Sequence, residues 1–372
     1  MQTEICGQFS LELPIFAFSH CRDVVAEVSK AGGMGVLGAL AFSPEQLEIE
    51  LDWIDDHVDG KPYGVDVVMP ATYEGAGDLD PDTMQEKLQE MIPDEHREFI
   101  EAVLDEFDVP PLPADDESAD RLLGWTHEGA RPQVEIALAH PISLLVNALG
   151  PPPKDVVDLA HDHDVKVAAL VGSVAQAERQ VNQGVDIIVA QGHEAGGHTG
   201  EVSSLVLWPE VVEAVSPSPV LAAGGIGTGK QAAAALALGC QGVWTGSIWL
   251  TTAESDMSPM MVKKLLGASS RDTVRSRAMT GKPARMLRSK WLDAWERDDS
   301  PGYLPMPLQY MATSEAMTRI NRVNHEELAW IPVGQIVGAM DAVRPARDVV
   351  FDLASEFIET TEYLNGLLNP GS

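Results

Sequence analysis

A rhythm constrains this chain more than any other feature. Short apolar runs alternate with amphipathic segments along most of its length, which predicts repeated βα units around a parallel sheet. The expected strands cover residues 14–19 (PIFAFS), 35–40, 63–69 (YGVDVVM), 142–149, 166–171, 185–190, 220–223 and 242–245. Between the first two, residues 23–31 carry Val24, Val25 and Val28 on one side and are ended by Gly32 and Gly33. Residues 44–57 carry Leu47, Leu51 and Ile54 at helix spacing. Further helices are expected over 153–163, 174–183, 209–215 and 230–238. Eight strands joined by helices predict a (β/α)8 barrel rather than an open doubly wound sheet, with the active site at the C-terminal strand ends.

The rhythm breaks after the third strand. Residues 72–133 read as an acidic insertion on one βα loop, with helices expected over 83–92 and 95–107, a Pro-rich stretch at 109–113 and an acidic run at 115–120. The barrel is therefore assigned to 1–71 and 134–265. Residues 266–330, richer in Met, Arg and Pro, read as a segment covering the substrate, and 331–372 as C-terminal helical structure packing back on the barrel.

The 372 residues, 45% of them hydrophobic, suffice for such a barrel with accessory pieces. No run approaches the ~20 apolar residues of a membrane span, and residues 1–14 lack the basic region and apolar run of a secretory signal. Three cysteines, Cys6, Cys21 and Cys240, have no metal-ligand spacing, so a disulfide framework is not expected and a reducing cytoplasm fits. The net charge of −32 argues against nucleic-acid binding, which needs a basic face, and against docking on an anionic membrane. The expected partner is a small molecule, and a homo-oligomer is left open. With cations scarce, a phosphate-bearing ligand is expected to rely on backbone N–H groups.

Three glycine-rich strand ends carry the chemistry. After the sixth strand comes Gln191-Gly192-His193-Glu194-Ala195-Gly196-Gly197-His198-Thr199-Gly200, whose four glycines let backbone approach a ligand while His198 titrates beside it. His193 and His198 are five apart with glycines between, which does not suit the helical zinc-protease pattern; no metal site is expected. Glu194 is expected to brace the turn through backbone N–H bonds. After the seventh strand comes Gly224-Gly225-Ile226-Gly227-Thr228-Gly229, too late in the chain for a dinucleotide fingerprint and better suited to a phosphate cradle. After the eighth come Gly246 and Ser247, in the neighbouring loop, where phosphates often bind in such barrels. His20 and Cys21 follow the first strand, but adjacent residues on an extended chain point apart, so they do not form a nucleophile–base pair.

Together these residues resemble the nitronate monooxygenase family, formerly called 2-nitropropane dioxygenases. The resemblance rests on QGHEAGGHTG (191–200), AAGGIGTG (222–229), GVWTGS (242–247), AGGMGVLG (31–38), GKPAR (281–285) and Gly334-Gln335. It implies an FMN-containing barrel that oxidises alkyl nitronates with O2 to a carbonyl compound and nitrite. By the same resemblance, His198 is the active-site histidine, abstracting a proton from neutral nitroalkanes or holding an anionic nitronate. Gly196, Gly197, Gly224, Gly225, Gly246 and Ser247 match FMN-contacting positions, Gln191 faces the flavin from its strand end, and Ala195 and Gln335 belong to the matched motifs. The chain departs from the family where Ala17-Phe18-Ser19 replaces Ala-Pro-Met and where Asp66 replaces Asn; these four residues, with Ala195 and Gln335, are also expected by the resemblance to contact the cofactor. A carboxylate beside the flavin would disfavour an anionic nitronate unless it is paired or protonated. The main alternative on the same scaffold is an FMN-dependent, NAD(P)H-using enoyl-thioester reductase; Gln191 and Ala195 lean towards the monooxygenase. A non-redox FMN-binding protein and a metal-dependent hydrolase on a barrel are further readings.

Overall fold

The computed structural model describes residues 1–69, 81–113 and 127–368. Its strands are β1 (Ile15–Ser19), β2 (Met34–Gly38), β3 (Tyr63–Val67), β4 (Leu144–Asn147), β5 (Lys166–Val171), β6 (Ile187–Gln191), β7 (Gly197–His198), β8 (Val220–Ala223), β9 (Gly242–Thr245), β10 (Thr273–Ser276) and β11 (Ala284–Leu287). All but β7, β10 and β11 form a closed parallel barrel, in which β9 pairs back onto β1. The eight expected strands are these barrel strands. Their ends are shorter than the apolar runs: β2 stops at Gly38, where Ala39–Ala41 form a 3-10 turn, and β4 spans only Leu144–Asn147.

Alternation along each strand divides its side chains between two cores. Phe16, Met34, Val146, Val189, Leu221 and Trp244 fill the barrel interior. Ile15, Ala17, Leu37, Val65, Ile188 and Val243 face the surrounding helices. An unexpected helix, Glu4–Phe9, contributes Ile5, Cys6 and Phe9 to the interior core, and Phe9 meets Phe16 edge-on at 6.1 Å. Six residues are too short a window for helical periodicity to show.

The structure joins what the sequence keeps apart. The helix Asp94–Glu106 of the expected insertion and the helices Lys290–Ala294 and Leu308–Arg322 of the expected covering segment share one core, with Ile100, Val103 and Leu104 against Trp291, Ala316 and Ile320. Arg319 fastens the two. It is 3% exposed; Nη1 donates to both carboxylate oxygens of Glu101 at 2.7 and 2.9 Å, Nε to the Pro110 carbonyl at 3.0 Å, and Nη2 to the Val109 carbonyl at 3.0 Å. Arg319→Ala leaves those carbonyls without donors, and a loss of about 3 kcal/mol is expected. A denaturation midpoint equal to the parent's would contradict this role.

The acidic run at 115–120 lies outside the described residues, as do 72–80 of the expected insertion. The helix His127–Ala139 runs through the expected boundary at 133 and already packs on the barrel. Val134, Ala137 and Leu138 join the outer core, and Gln133 donates to the carbonyls of Ala39 and Phe42 at 3.0 and 2.9 Å. The C-terminal helical structure expected over 331–372 is split into a 3-10 turn, Gln335–Ala339, and the helix Ala346–Leu368, which packs Val350 and Leu353 on the barrel. No described helix is long and apolar enough to cross a membrane.

Candidate active site

At the C-terminal ends of the barrel strands lies a cavity of about 410 Å³. Its base is the last inward-facing layer: Phe18 of β1, Gly38 of β2, Asp66 of β3, Leu170 of β5, Gln191 of β6 and Trp244 of β9. The three glycine-rich strand ends form its sides, and Met279, Tyr310, Ile331 and Ile336 reach over it from beyond the barrel. Phe18, Ser19, Asp66, Gln191, Ala195, Gly196, Gly197, His198, Gly224, Gly225, Gly246 and Ser247 all line this one space. Ala17 and Gln335 do not. Strand alternation turns Ala17 into the outer core, away from Phe18. Gln335 has an exposed side chain; its backbone N–H donates to the Glu194 carbonyl at 2.9 Å, while Gly334 and Ile336 on either side line the cavity.

The loop that carries His198 is held by groups from distant parts of the chain. β7 pairs antiparallel with β11, setting His198 opposite Ala284 and Gly197 opposite Arg285. The Arg285 guanidinium, 4% exposed, donates Nε and Nη2 to the His193 carbonyl at 3.3 and 3.2 Å and Nη1 to Thr273 Oγ1 at 3.1 Å. Arg275 grips Glu201 at 2.9 and 2.8 Å and the Thr199 carbonyl at 3.2 Å. Glu194 accepts the Ser204 N–H at 3.1 and 3.3 Å, at the positive end of the helix Ser204–Val215. The loop is thereby held by the protein's own groups.

His198 Nε2 lies 2.7 Å from Thr280 Oγ1. Burial, reinforced by the nearby Lys282 ammonium, pushes the imidazole down to about 4, so it is neutral at pH 7. Thr280 and Arg285 were not singled out as site residues. They lie more than 80 residues downstream of the loop they hold, and only the GKPAR motif pointed to their neighbourhood. Cys21 lines the cavity, but its thiol donates to the Glu254 carbonyl at 3.1 Å and burial raises its pKa, so it is not poised as a nucleophile.

Beside the His198 loop, at the end of the neighbouring strand β8, the backbone forms a cradle. Gly224 and Gly225 have φ of 98° and 70°, left-handed conformations that suit glycine. A Cβ built on Gly197 would meet nothing within 4 Å, and one on Gly246 only Phe18 at 3.9 Å, so both glycines leave room at the cavity wall. Ser247 Oγ accepts the Gly334 N–H at 2.9 Å, which leaves its own hydroxyl proton to donate.

Asp66 is 2% exposed, and its Oδ1 has no hydrogen-bond partner. Burial raises its pKa well above the usual carboxylate range, opposed by a backbone hydrogen bond at Ala148, so the group favours the neutral acid. A carboxyl whose folded pKa is raised costs stability as pH rises above its unfolded value. Asp66→Asn is therefore expected to match the parent's melting temperature near pH 4 and exceed it at pH 8. A difference independent of pH would refute the neutral-acid assignment.

With this geometry in place, comparison with known proteins is decisive. The chain matches the family profile described as nitronate monooxygenase over residues 7–356. The chain belongs to the nitronate monooxygenase family. It is 53% identical to the Mycobacterium tuberculosis protein Rv1533, provisionally named a monooxygenase, over 99% of this chain and 100% of that one. It is 26% identical to a Staphylococcus aureus protein provisionally named nitronate monooxygenase, over 97% and 99%. Its fold superposes on nitroalkane oxidase from Streptomyces ansochromogenes with TM-score 0.79 and 25% identity, over 97% of this chain and 99% of that one. It also superposes on FabK from Thermotoga maritima with TM-score 0.73 and 27% identity, over 99% of each chain. The chain is thus a (β/α)8-barrel oxidoreductase. The cofactor implied by this family is a flavin. The residues present fit one: left-handed glycines at one strand end, glycines that leave room at the cavity wall, a buried carboxyl with one unpartnered oxygen, and an apolar cavity at the strand ends.

Proposed function

We propose that this enzyme binds FMN and oxidises alkyl nitronates with O2 to a carbonyl compound and nitrite. The observation that carries the reading is the placement of a neutral, hydrogen-bonded His198 on a rigid loop in the same cavity as the glycine cradle. Gly224, Gly225, Gly246 and Ser247 would hold the phosphate through N–H groups and one hydroxyl, which suits a cavity whose described lining includes no lysine or arginine. Gln191, whose Nε2 donates to the Gly196 carbonyl at 3.2 Å, and Asp66 would face the ring. When bound, the flavin supplies the electron acceptor; the protein supplies position and field.

His198 has two tasks in this reading. For a neutral nitroalkane, it takes the proton from the carbon bearing the nitro group. For a nitronate already formed in solution, its ring hydrogen-bonds the nitronate and orients it. A base pushed down to about 4 is a weak one, which favours the second task. The apolar reach of Met279, Tyr310 and Ile331 over the cavity suits a small alkyl chain and limits water.

A second reading, an NAD(P)H-dependent enoyl-thioester reductase, is supported by the likeness to FabK. The lack of cationic side chains in the described cavity lining counts against it, because a nicotinamide dinucleotide brings further phosphates. Anaerobic mixing of the flavin-loaded protein with an alkyl nitronate and, separately, with NADH and NADPH tests the choice. Bleaching of the flavin by the nitronate is expected. Bleaching by a nicotinamide alone would transfer the assignment to a reductase.

A further inference from the structure

The cavity has a second imidazole that the reaction above does not use. His20 follows β1, whereas the His198 loop follows β6, three strands away around the barrel by way of β9 and β8. His20 Nδ1–H donates to the Gly38 carbonyl at 2.8 Å. A carbonyl can only accept, so this bond fixes the tautomer and leaves Nε2 of the neutral ring as an acceptor. Phe18 packs edge-on against the ring at 5.1 Å and helps to hold its plane. Among the described residues Nε2 has no hydrogen-bond partner, and the ring stands on the cavity wall. His20 is exposed to the cavity; desolvation by the surrounding protein lowers its pKa, opposed by the bond to Gly38 and by Asp256, another exposed residue of the cavity wall.

This side of the cavity presents an imidazole nitrogen and a carboxylate, with the hydroxyls of Ser19 and Ser255 next to them in sequence and no lysine or arginine among the described residues of the lining. Lys282 acts on His198 and does not line the cavity. An anionic tail on the substrate would meet like charge at Asp256 and an electron pair at His20. A hydroxyl or ammonium would find partners at both.

We propose that His20 and Asp256 make this enzyme selective for nitronates whose far end carries a hydrogen-bond donor, a hydroxyl or ammonium, and set it against carboxylate-bearing ones. The inference rests on the nitronate reading above. It adds a specificity-determining pair outside the His198 loop, with the reacting carbon at His198 and the donor tail at His20.

The test uses the flavin-loaded protein and three nitronates of similar length, prepared from 3-nitropropan-1-ol, 1-nitrobutane and 3-nitropropanoate. The alcohol is expected to show the highest kcat/KM and the carboxylate the lowest. In His20→Asn the amide can keep the bond to Gly38 but cannot offer an acceptor at the Nε2 position. The alcohol-to-butane ratio of kcat/KM should then fall about ten-fold, the scale of one hydrogen bond. Asp256→Asn should raise the carboxylate relative to the butane. A merely structural role for His20 would change all three substrates alike and leave the ratio fixed. A preference for the carboxylate, or ratios unmoved in both variants, would overturn the proposal. Calorimetric binding of the three parent nitro compounds to the same protein gives an independent ordering. If no nitronate is oxidised, the proposed activity fails, and the binding order still decides whether a donor tail is selected.

Discussion

His198→Asn is expected to lower kcat/KM on neutral nitroalkanes roughly hundred- to thousand-fold, the contribution typical of a positioned general base. Asparagine keeps a polar group in reach of Thr280 Oγ1, now 2.7 Å from the imidazole, but it cannot take a proton. On nitronates supplied ready-made the loss should be smaller, about ten-fold, because only an orienting hydrogen bond is removed. The pH profile gives the sign independently. Burial and then Lys282 lower the imidazole to about 4, so the neutral form is complete at pH 7 and is lost only as pH falls through about 4. The acid limb of kcat/KM should therefore lie well below the ordinary histidine range near 6.5 and vanish in the variant. Equal rates for the two enzymes on a neutral nitroalkane would remove His198 from the chemistry.

Gly225→Leu is expected to yield protein that is folded but almost colourless. At φ 70° a leucine is strained, and its Cβ would sit 3.0 Å from Glu194 Cγ. Glu194 could yield only by giving up the Ser204 N–H it accepts, and that bond ties the His198 loop to the helix behind it. The substitution therefore disturbs the cradle and the His198 loop together. Flavin content after purification should drop at least ten-fold, a loss in binding above ~1.4 kcal/mol. Circular dichroism and a single unfolding transition would show that the barrel survives. Full flavin occupancy in the variant would place the phosphate elsewhere.

The same residues show how far the sequence reaches. Period-2 alternation and glycine-rich strand ends are local signals, so the eight barrel strands and the clustering of Gln191, Gly224 and Gly246 were legible without coordinates. The parity of β1 was harder to use: the motif drew attention to Ala17-Phe18-Ser19 as a block, yet alternation sends Ala17 outward and Phe18 inward. Asp66 was visible as a departure from the family, but only its burial and unpartnered Oδ1 decide that it is a neutral acid. His20 was a histidine beside a cysteine; its bond to Gly38, one strand away, turns it into an aimed acceptor.

By itself, the sequence determined the barrel, the strand ends that line the cavity and the candidate histidine, because each is written within a few neighbouring residues as hydrophobic period or backbone freedom. Only the tertiary structure decided what surrounds that histidine. Thr280 at its ring, Arg285 on its loop, and the single core shared by Ile100 and Trp291 depend on segments that meet after the chain has folded back. The protonation state follows from the same closure, since the desolvation that keeps His198 and Asp66 neutral is a property of burial and has no local sequence signal.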